Sequence, residues 1–336
     1  MIFAVAMVIA MLAVFPLTAS ADEPTVWSGK ANIKWYLDGK AANAQEWHIK
    51  TAEDFAGLAY LVNASNRSCY SGGVYYDANY DVLGYKRTES DSQKPYADSS
   101  LLYKPTPGDG SELVDGFNFD CQNVYLDADI VLNTGNAADW GDTPPANVWY
   151  PIGGTLPDAA QHPTFNGIFQ GEGHTISGAY YVSNPANEVF CVGLFGYVGK
   201  GSLSQFRNLT VENCYFSATA SVGTLCGRSH GSFTVINCCI KNCFVGNTET
   251  HTKEQKEYGG MIGGVYSGGA TITNCGLENV TVICPRYLGG FIGLSNGQSV
   301  TVKNSYITGT ITAITVQGEK ITPADPEPEH RKSQRR

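Results

Sequence analysis

Short stretches of alternating apolar and polar residues recur through the second half of the chain, each interrupted by an asparagine. Apolar side chains lie two residues before each asparagine and three residues after it. The asparagines are Asn208, Asn237, Asn274 and Asn304; the flanking apolar residues are Phe206, Val235, Ile272 and Val302 before them, and Val211, Ile240, Leu277 and Ile307 after them. A period of two on both sides of a residue that tolerates left-handed backbone indicates strands that meet at a bend.

A glycine motif repeats in step with these bends. Its anchor glycines, Gly193, Gly223, Gly260 and Gly290, are 30, 37 and 30 residues apart, and a second bend column holds Asn213, Asn242, Asn279 and Gly309. Each repeat has room for three short strands and is too small to bury its own apolar face. It must therefore stack on its neighbours, about 4.8 Å away.

Stacking would align the first asparagine column into a structural ladder of Asn208, Asn237, Asn274 and Asn304. The pattern predicts an all-β fold, a right-handed parallel β-helix (solenoid), with an N-terminal capping α-helix and irregular insertions. Regular coils are expected over 191–316 and less regular first coils over 114–190.

The segment 22–66 is predicted to contain an N-terminal strand and the capping helix. Thr51 precedes an acidic first turn, as expected of a residue that caps a helix N-terminus. Four apolar residues then share one helix face: Phe55, Leu58, Ala59 and Val62. An amphipathic helix can cover the end of a β-helix core, and no other helix is predicted.

A tyrosine-rich insertion, 67–113, interrupts this pattern with seven tyrosines among Gly, Ser, Asp and Pro. A tyrosine ring offers a flat face and a hydroxyl to a sugar or a protein. The candidate binding residues are Tyr75, Tyr76, Tyr80 and Tyr85. The alternative, which is favoured, is an elaborated loop that packs on its own helix.

Both ends of the chain differ from the body. Residues 1–21 contain an apolar run and an Ala19-Ser20-Ala21 cleavage signal, which predicts a secretory signal peptide and an extracellular location, secreted or on the cell surface. No second run is long enough for a membrane span. Residues 317–336 are predicted to be a Pro-rich linker with a basic tail. The net charge is -9, which argues against a nucleic-acid partner.

Ten cysteines in an exported chain raise the question of disulfides. The repeat register stacks Cys238 on Cys275 and Cys214 on Cys243, and buried free thiols are favoured over bridges because in-register Cβ atoms are too far apart. The cysteine and histidine spacing does not fit a zinc site, so no metal and no cofactor are predicted.

Part of the sequence resembles the GLUG-motif family. Three stretches carry the resemblance: Trp149 with Pro151-Ile152-Gly153; the Gly-rich run from Phe165 through Phe169 to Gly178; and Gly193-Leu194-Phe195-Gly196. The resemblance covers roughly residues 45–315 apart from the insertion, and it implies a β-helix on the exterior of a bacterial cell. Similar repeats occur in the N-terminal regions of some IgA-cleaving metallopeptidases. This chain lacks their HExxH motif, so that activity is not implied.

Two functions remain open at this point. The first is a non-catalytic binding or scaffold module that contacts a glycan or a host surface protein. The alternative is a polysaccharide lyase or hydrolase, which needs converging carboxylates. The carboxylates available are Asp115, Asp120, Asp127 and Asp129, and His174 is expected to bond to backbone. Because the regular coils hold hardly any Asp, we expect no catalytic residues.

Overall fold

A computed structural model describes residues 24–65, 72–86, 101–154, 163–183, 189–199, 204–218, 220–246, 258–265 and 268–313. The predicted signal peptide (1–21) and the tail (317–336) lie outside these residues. Strands dominate the described part, which contains two α-helices. Within the described ranges, neither helix is long and apolar enough to cross a membrane.

The N-terminal third combines both helices with short strands. The elements are α1 (Lys34–Ala41), β1 (Glu46–Ile49), α2 (Ala52–Asn63), β2 (Val74–Tyr76), β3 (Val82–Tyr85), β4 (Glu112–Val114), β5 (Asn123–Leu126) and β6 (Ile130–Val131).

After a 3-10 helix at Ala137–Asp139, the remaining regular elements of the described chain are strands. They are β7 (Ile168–Gln170), β8 (Thr175–Ser177), β9 (Tyr180–Val182), β10 (Cys191–Val192), β11 (Phe195–Val198), β12 (Ser204–Arg207), β13 (Thr210–Glu212), β14 (Tyr215–Ser217), β15 (Ser221–Ser229), β16 (Phe233–Ile236), β17 (Cys239–Lys241), β18 (Phe244–Gly246), β19 (Tyr258–Val265), β20 (Ala270–Thr273), β21 (Gly276–Cys284), β22 (Tyr287–Leu288), β23 (Ile292–Ser295), β24 (Val300–Lys303) and β25 (Tyr306–Ala313).

These strands form three parallel sheets. Sheet 1 has the order β1-β5-β7-β12-β16-β20-β24; sheet 2 contains β6, β8, β9, β13, β14, β17, β18, β21 and β25; sheet 3 contains β10, β11, β15, β19, β22 and β23. Each strand pairs with the equivalent strand of the neighbouring repeat. In sheet 1, Phe206 lies opposite Phe169 on one side and Val235 on the other, and Ile272 lies between Val235 and Val302. The prediction of a β-rich fold with parallel sheets is confirmed.

Left-handed backbone marks both predicted bend columns. The seven asparagines of these columns, Asn208, Asn213, Asn237, Asn242, Asn274, Asn279 and Asn304, have φ values between 48° and 54°, and Gly309 has φ 131°. The first column connects strands of sheet 1 to strands of sheet 2. In the second column, Asn213 and Asn242 connect strands within sheet 2, whereas Asn279 and Gly309 lie inside β21 and β25. Asparagine serves here because its short side chain tolerates the left-handed region.

Helix α2 begins at the predicted place. The Thr51 hydroxyl accepts a hydrogen bond from the Asp54 backbone N–H at 3.1 Å, and the Asp54 carboxylate accepts one from the Thr51 N–H at 3.2 Å. This reciprocal capping box fixes the first turn. Phe55 then stacks on Trp149, with ring centroids 4.7 Å apart and an angle of 6° between the planes. The helix is thereby anchored on the core of the sheets.

Two predictions for the N-terminal part were wrong. Helix α1 was missed because Ile33 stands at its N-cap position without a side-chain hydrogen bond, and its first turn contains no acidic residue. The insertion 67–113 is not irregular throughout: β2, β3 and β4 form a three-stranded antiparallel sheet, with β2 in the centre. Residues 67–71 and 87–100 of this region lie outside the described residues.

Candidate binding surface

The small antiparallel sheet has a buried face and an open face. Val74 and Val114 lie on the buried face and point towards the core. Tyr75 and Leu113 lie on the open face, where Tyr75 is half-buried and Leu113 is 41% exposed. Tyr75 lies opposite Gly84 on one side and Leu113 on the other. Alternation along the strands therefore divides the tyrosines of the insertion between the two faces.

Tyr76 and Tyr85 belong to the buried face, which corrects their assignment as binding residues. Tyr85 packs against Tyr60 of α2, with ring centroids 4.7 Å apart. The Tyr76 hydroxyl donates a hydrogen bond to the Glu112 carboxylate at 2.7 Å, and burial together with this carboxylate raises the pKa of Tyr76 to about 12. Both rings are 8% exposed or less, so neither can offer a face to a ligand.

Tyr80 lies in the turn between β2 and β3. Its ring stacks against Tyr76 with centroids 6.3 Å apart, and the Lys34 ammonium of α1 is 5.5 Å from the ring centroid. The backbone of Tyr80 has φ 65°, held in a turn where Asp77 accepts its N–H at 2.9 Å. Tyr80 is half-buried and packs the insertion against α1. Its contacts with Tyr76 and Lys34 explain the position of its ring without a ligand.

Tyr75 is joined on the open face by Tyr103, which sequence reasoning did not single out. Their ring centroids are 5.6 Å apart, with 56° between the planes. Gly84 makes this arrangement possible because a Cβ there would lie 2.6 Å from the Leu101 carbonyl oxygen and 3.1 Å from the Tyr103 Cβ. Glycine also accommodates φ 145° at this position. The segment carrying Tyr103 can therefore pass directly beside Tyr75.

Asp109 fixes the hydroxyl end of Tyr103. The Tyr103 hydroxyl donates to the Asp109 carboxylate at 3.0 Å, and the same carboxylate accepts from the Ser111 hydroxyl and N–H at 2.7 and 2.9 Å and from the Thr106 N–H at 2.6 Å. The Ser111 hydrogen bonds, followed by the one from Thr106, hold the pKa of Asp109 well below its usual range. We call Tyr75, Tyr103, Asp109 and Leu113 the tyrosine surface.

Two histidine–aspartate pairs lie on the outside of the first strands. The Nδ1 atom of His48 is 2.9 Å from Asp127 Oδ1, and that of His174 is 3.2 Å from Asp129 Oδ1. Asp129 also accepts the Thr175 N–H at 2.8 Å. The side chain of His174 thus contacts a carboxylate, and the expectation that it bonds to backbone was wrong. The carboxylates of Asp127 and Asp129 are each engaged by an imidazole of a neighbouring strand or bend.

The first asparagine column forms a continuous chain of amide hydrogen bonds. The Nδ2 of Asn237 donates to Asn208 Oδ1 at 3.1 Å, that of Asn274 to Asn237 at 3.1 Å, and that of Asn304 to Asn274 at 3.2 Å. Each internal amide both donates and accepts along the column. These side chains are occupied with one another, so the ladder stabilises the bends and offers little to a ligand.

The described cysteines, which exclude Cys69, are thiols. Cys238 and Cys275 share a hydrogen bond that raises the pKa of Cys238 well above its ordinary value and lowers that of Cys275 to about 7. Burial, reinforced by Cys214, raises the pKa of Cys243 well above its ordinary value. Among the described residues, no group of three or more His, Cys, Asp or Glu side chains is arranged to hold a metal ion.

Comparison of the chain with known proteins gives no match, whether to family models, to curated proteins or to solved structures. The resemblance to the GLUG-motif family rests on the sequence motifs alone and stays a prediction.

Proposed function

We propose that this chain is an exported bacterial protein of the GLUG-motif type, built as a right-handed parallel β-helix that presents a binding surface. Support for the β-helix comes from the strand register. Equivalent residues in all three sheets pair one repeat apart, and left-handed asparagines mark the same two bends in successive repeats. Parallel strands joined by crossovers are right-handed in nearly all known cases.

The proposed function is non-catalytic binding of a glycan on a host or neighbouring cell surface, with the tyrosine surface as the contact. The observation that carries this proposal is the pairing of Tyr75 and Tyr103 on the outward face of a sheet whose inner face is anchored to α2. Two half-buried rings held by packing lose little conformational entropy on binding. Asp109 lies beside them, and its carboxylate holds the Tyr103 ring in place by accepting a hydrogen bond from the Tyr103 hydroxyl.

A glycan array tests this function. The full chain and two variants, Tyr75→Ala and Tyr103→Ala, are compared for binding, followed by affinity measurements on any positive glycan. We expect each variant to bind at least about tenfold more weakly, which corresponds to about 1.4 kcal/mol for the loss of a central aromatic contact. The matched control is Tyr125→Ala, which removes a half-buried tyrosine that stacks on His48 on sheet 1. Its binding should equal that of the unmodified chain.

Two results would count against the proposal. The first is an array without any positive glycan, and the second is binding that both tyrosine variants retain in full. The same preparation is also incubated with acidic polysaccharides, and reducing ends and unsaturated products are measured. Product that disappears in Asp127→Asn or Asp129→Asn would replace the binding function with polysaccharide degradation at the histidine–aspartate pairs.

A further inference from the structure

The last described repeat ends the sheets with β24 and β25, which no further described strand covers. Every residue of β24 and β25 is exposed, although these strands continue core columns that are buried one repeat earlier. Val302 is 44% exposed, whereas Ile272 beneath it is fully buried; Ile311 is 44% exposed, whereas Val282 is 2% exposed. The C-terminal end face comprises Tyr287, Val300, Val302, Tyr306, Ile307 and Ile311. It is an apolar surface at positions that elsewhere form the core.

The same edge carries backbone groups without partners among the described strands. In the described part of the chain, β24 pairs only with β20, and β25 pairs only with β21. The Nδ2 atom of Asn304 donates a hydrogen bond to Asn274 Oδ1. No donor among the described residues reaches the side-chain oxygen, Oδ1, of Asn304. Strand β25 is eight residues long and contains neither a charge nor a proline. Proteins usually protect exposed edges of this kind, so a partner on this face is expected.

The opposite edge of sheet 1 is covered. Strand β1 is the first strand of sheet 1. Its residue Trp47 is 4% exposed, and Ile49 is fully buried. Helix α2 packs there through Phe55, which is also fully buried. A head-to-tail arrangement would have to displace this cap, whereas the open face of one copy is free to meet the same face of another.

We propose that the C-terminal end face binds a second copy of this chain, end to end and with two-fold symmetry. A single extended peptide could cover one of the three open sheet edges. A second copy has the same three-sheet outline and can cover all of them, with its strands running antiparallel across the junction. Because the interface is isologous, each copy uses its end face once and assembly stops at a dimer.

Charge favours this partner. The chain as a whole has a net charge of -9, which opposes self-association at most surfaces. Residues 287–313 contain no Asp or Glu, and Lys303 is their one charged residue. The Glu278 carboxylate reaches this face, where it accepts a hydrogen bond from the Tyr306 hydroxyl, and it is paired with Lys241 at 3.6 Å. The end face is therefore a region where two copies meet with little electrostatic repulsion.

Sedimentation equilibrium of the full chain tests the proposal. We expect a dimer, and we expect Ile311→Lys to weaken it at least about a hundredfold, which corresponds to about 2.7 kcal/mol. Since Ile311 is already 44% exposed, the variant should fold, which circular dichroism checks; Val302→Lys provides a second disruption of the same face. The matched control is Thr271→Lys, which adds the same charge to an exposed position on the outer face of β20. It should remain dimeric.

Three results would overturn the proposal. One is a full chain that stays monomeric at about 100 µM, well above the Kd of a specific interface. Another is a dimer that both lysine variants of the end face leave intact. The third is a monomeric full chain that becomes dimeric when residues 314–336 are deleted, because that result would identify the chain's own terminal segment as the occupant of this face.

Discussion

Replacing Asn274 separates the two contributions that the asparagine ladder makes to stability. Its backbone has φ 54°, and its amide makes two ladder hydrogen bonds, donating to Asn237 at 3.1 Å and accepting from Asn304 at 3.2 Å. Asn274→Ala removes both hydrogen bonds and forces an alanine into left-handed backbone. Asn274→Gly removes the same hydrogen bonds but leaves the backbone relaxed.

The expected costs follow from these terms. The ladder amides are solvent-exposed, so each hydrogen bond contributes about 0.5 kcal/mol, at the low end of the usual range. Left-handed backbone costs alanine about 1.5 kcal/mol. The free energy of unfolding should therefore fall by about 2.5 kcal/mol in Asn274→Ala and by about 1 kcal/mol in Asn274→Gly. Gly309, which occupies a bend position of the second column at φ 131°, is a natural example of the glycine solution.

Urea unfolding followed by circular dichroism measures both values, with unchanged m-values as a check that the unfolded states are comparable. The control is Asn123→Ala in the extended strand β5, which should change stability by less than about 0.5 kcal/mol. If the alanine and glycine variants were equally stable, the cost assigned to left-handed backbone at alanine would be refuted. If the glycine variant matched the unmodified chain, the amide ladder would contribute nothing.

Three further outcomes are expected. Gly223→Ala should lower the free energy of unfolding in urea by about 3 kcal/mol, because the new Cβ would lie 2.2 Å from a carbonyl oxygen. Gly173→Ala has open space around the new Cβ and should cost about half as much, because only the positive φ opposes it. Phe55→Ala should lower stability by about 3 to 5 kcal/mol in the same assay, since it empties a buried stack on Trp149; a cost below about 1 kcal/mol would show that α2 is not a cap. Burial raises the pKa of Tyr36 to about 12, so the contribution of its neutral hydroxyl to folding stability is complete below pH 10 and is lost as the pH rises towards 12. Tyr36→Phe should make the loss of stability over this pH range shallower. An unchanged pH profile of stability would contradict the assignment.

The features that could be predicted from the sequence are those that local backbone chemistry determines. Asn237 and Asn274 recur where the chain needs positive φ, and few other residues tolerate that conformation. Thr51 and Asp54 form a capping box that is visible three residues apart in the sequence. Such signals need no knowledge of tertiary contacts, which is why the bends and α2 were placed correctly.

The candidate binding residues depended on information that the sequence does not carry locally. Tyr75 and Tyr76 are neighbours of the same type, and which of them is buried depends on the face of β2 that packs on α2. Tyr103 reaches Tyr75 through a segment that crosses Gly84, a contact between residues distant along the chain. The alternation of Val74, Tyr75 and Tyr76 between Gly73 and Asp77 was the available signal for a strand with two distinct faces.

The two proposals together define a molecule whose ends have different tasks. The tyrosine surface lies beside α2 at the covered end, and the apolar end face lies at the other, so an end-to-end dimer presents two tyrosine surfaces facing away from each other. Divalent attachment to a dense glycan layer exceeds the affinity of one site because the second contact is intramolecular. Ile311→Lys should then reduce retention on a dense surface while leaving the affinity for a soluble glycan unchanged. Tyr75→Ala should reduce both, because it acts on the site itself. If Ile311→Lys lowered the affinity for the soluble glycan as well, the two ends would not be independent.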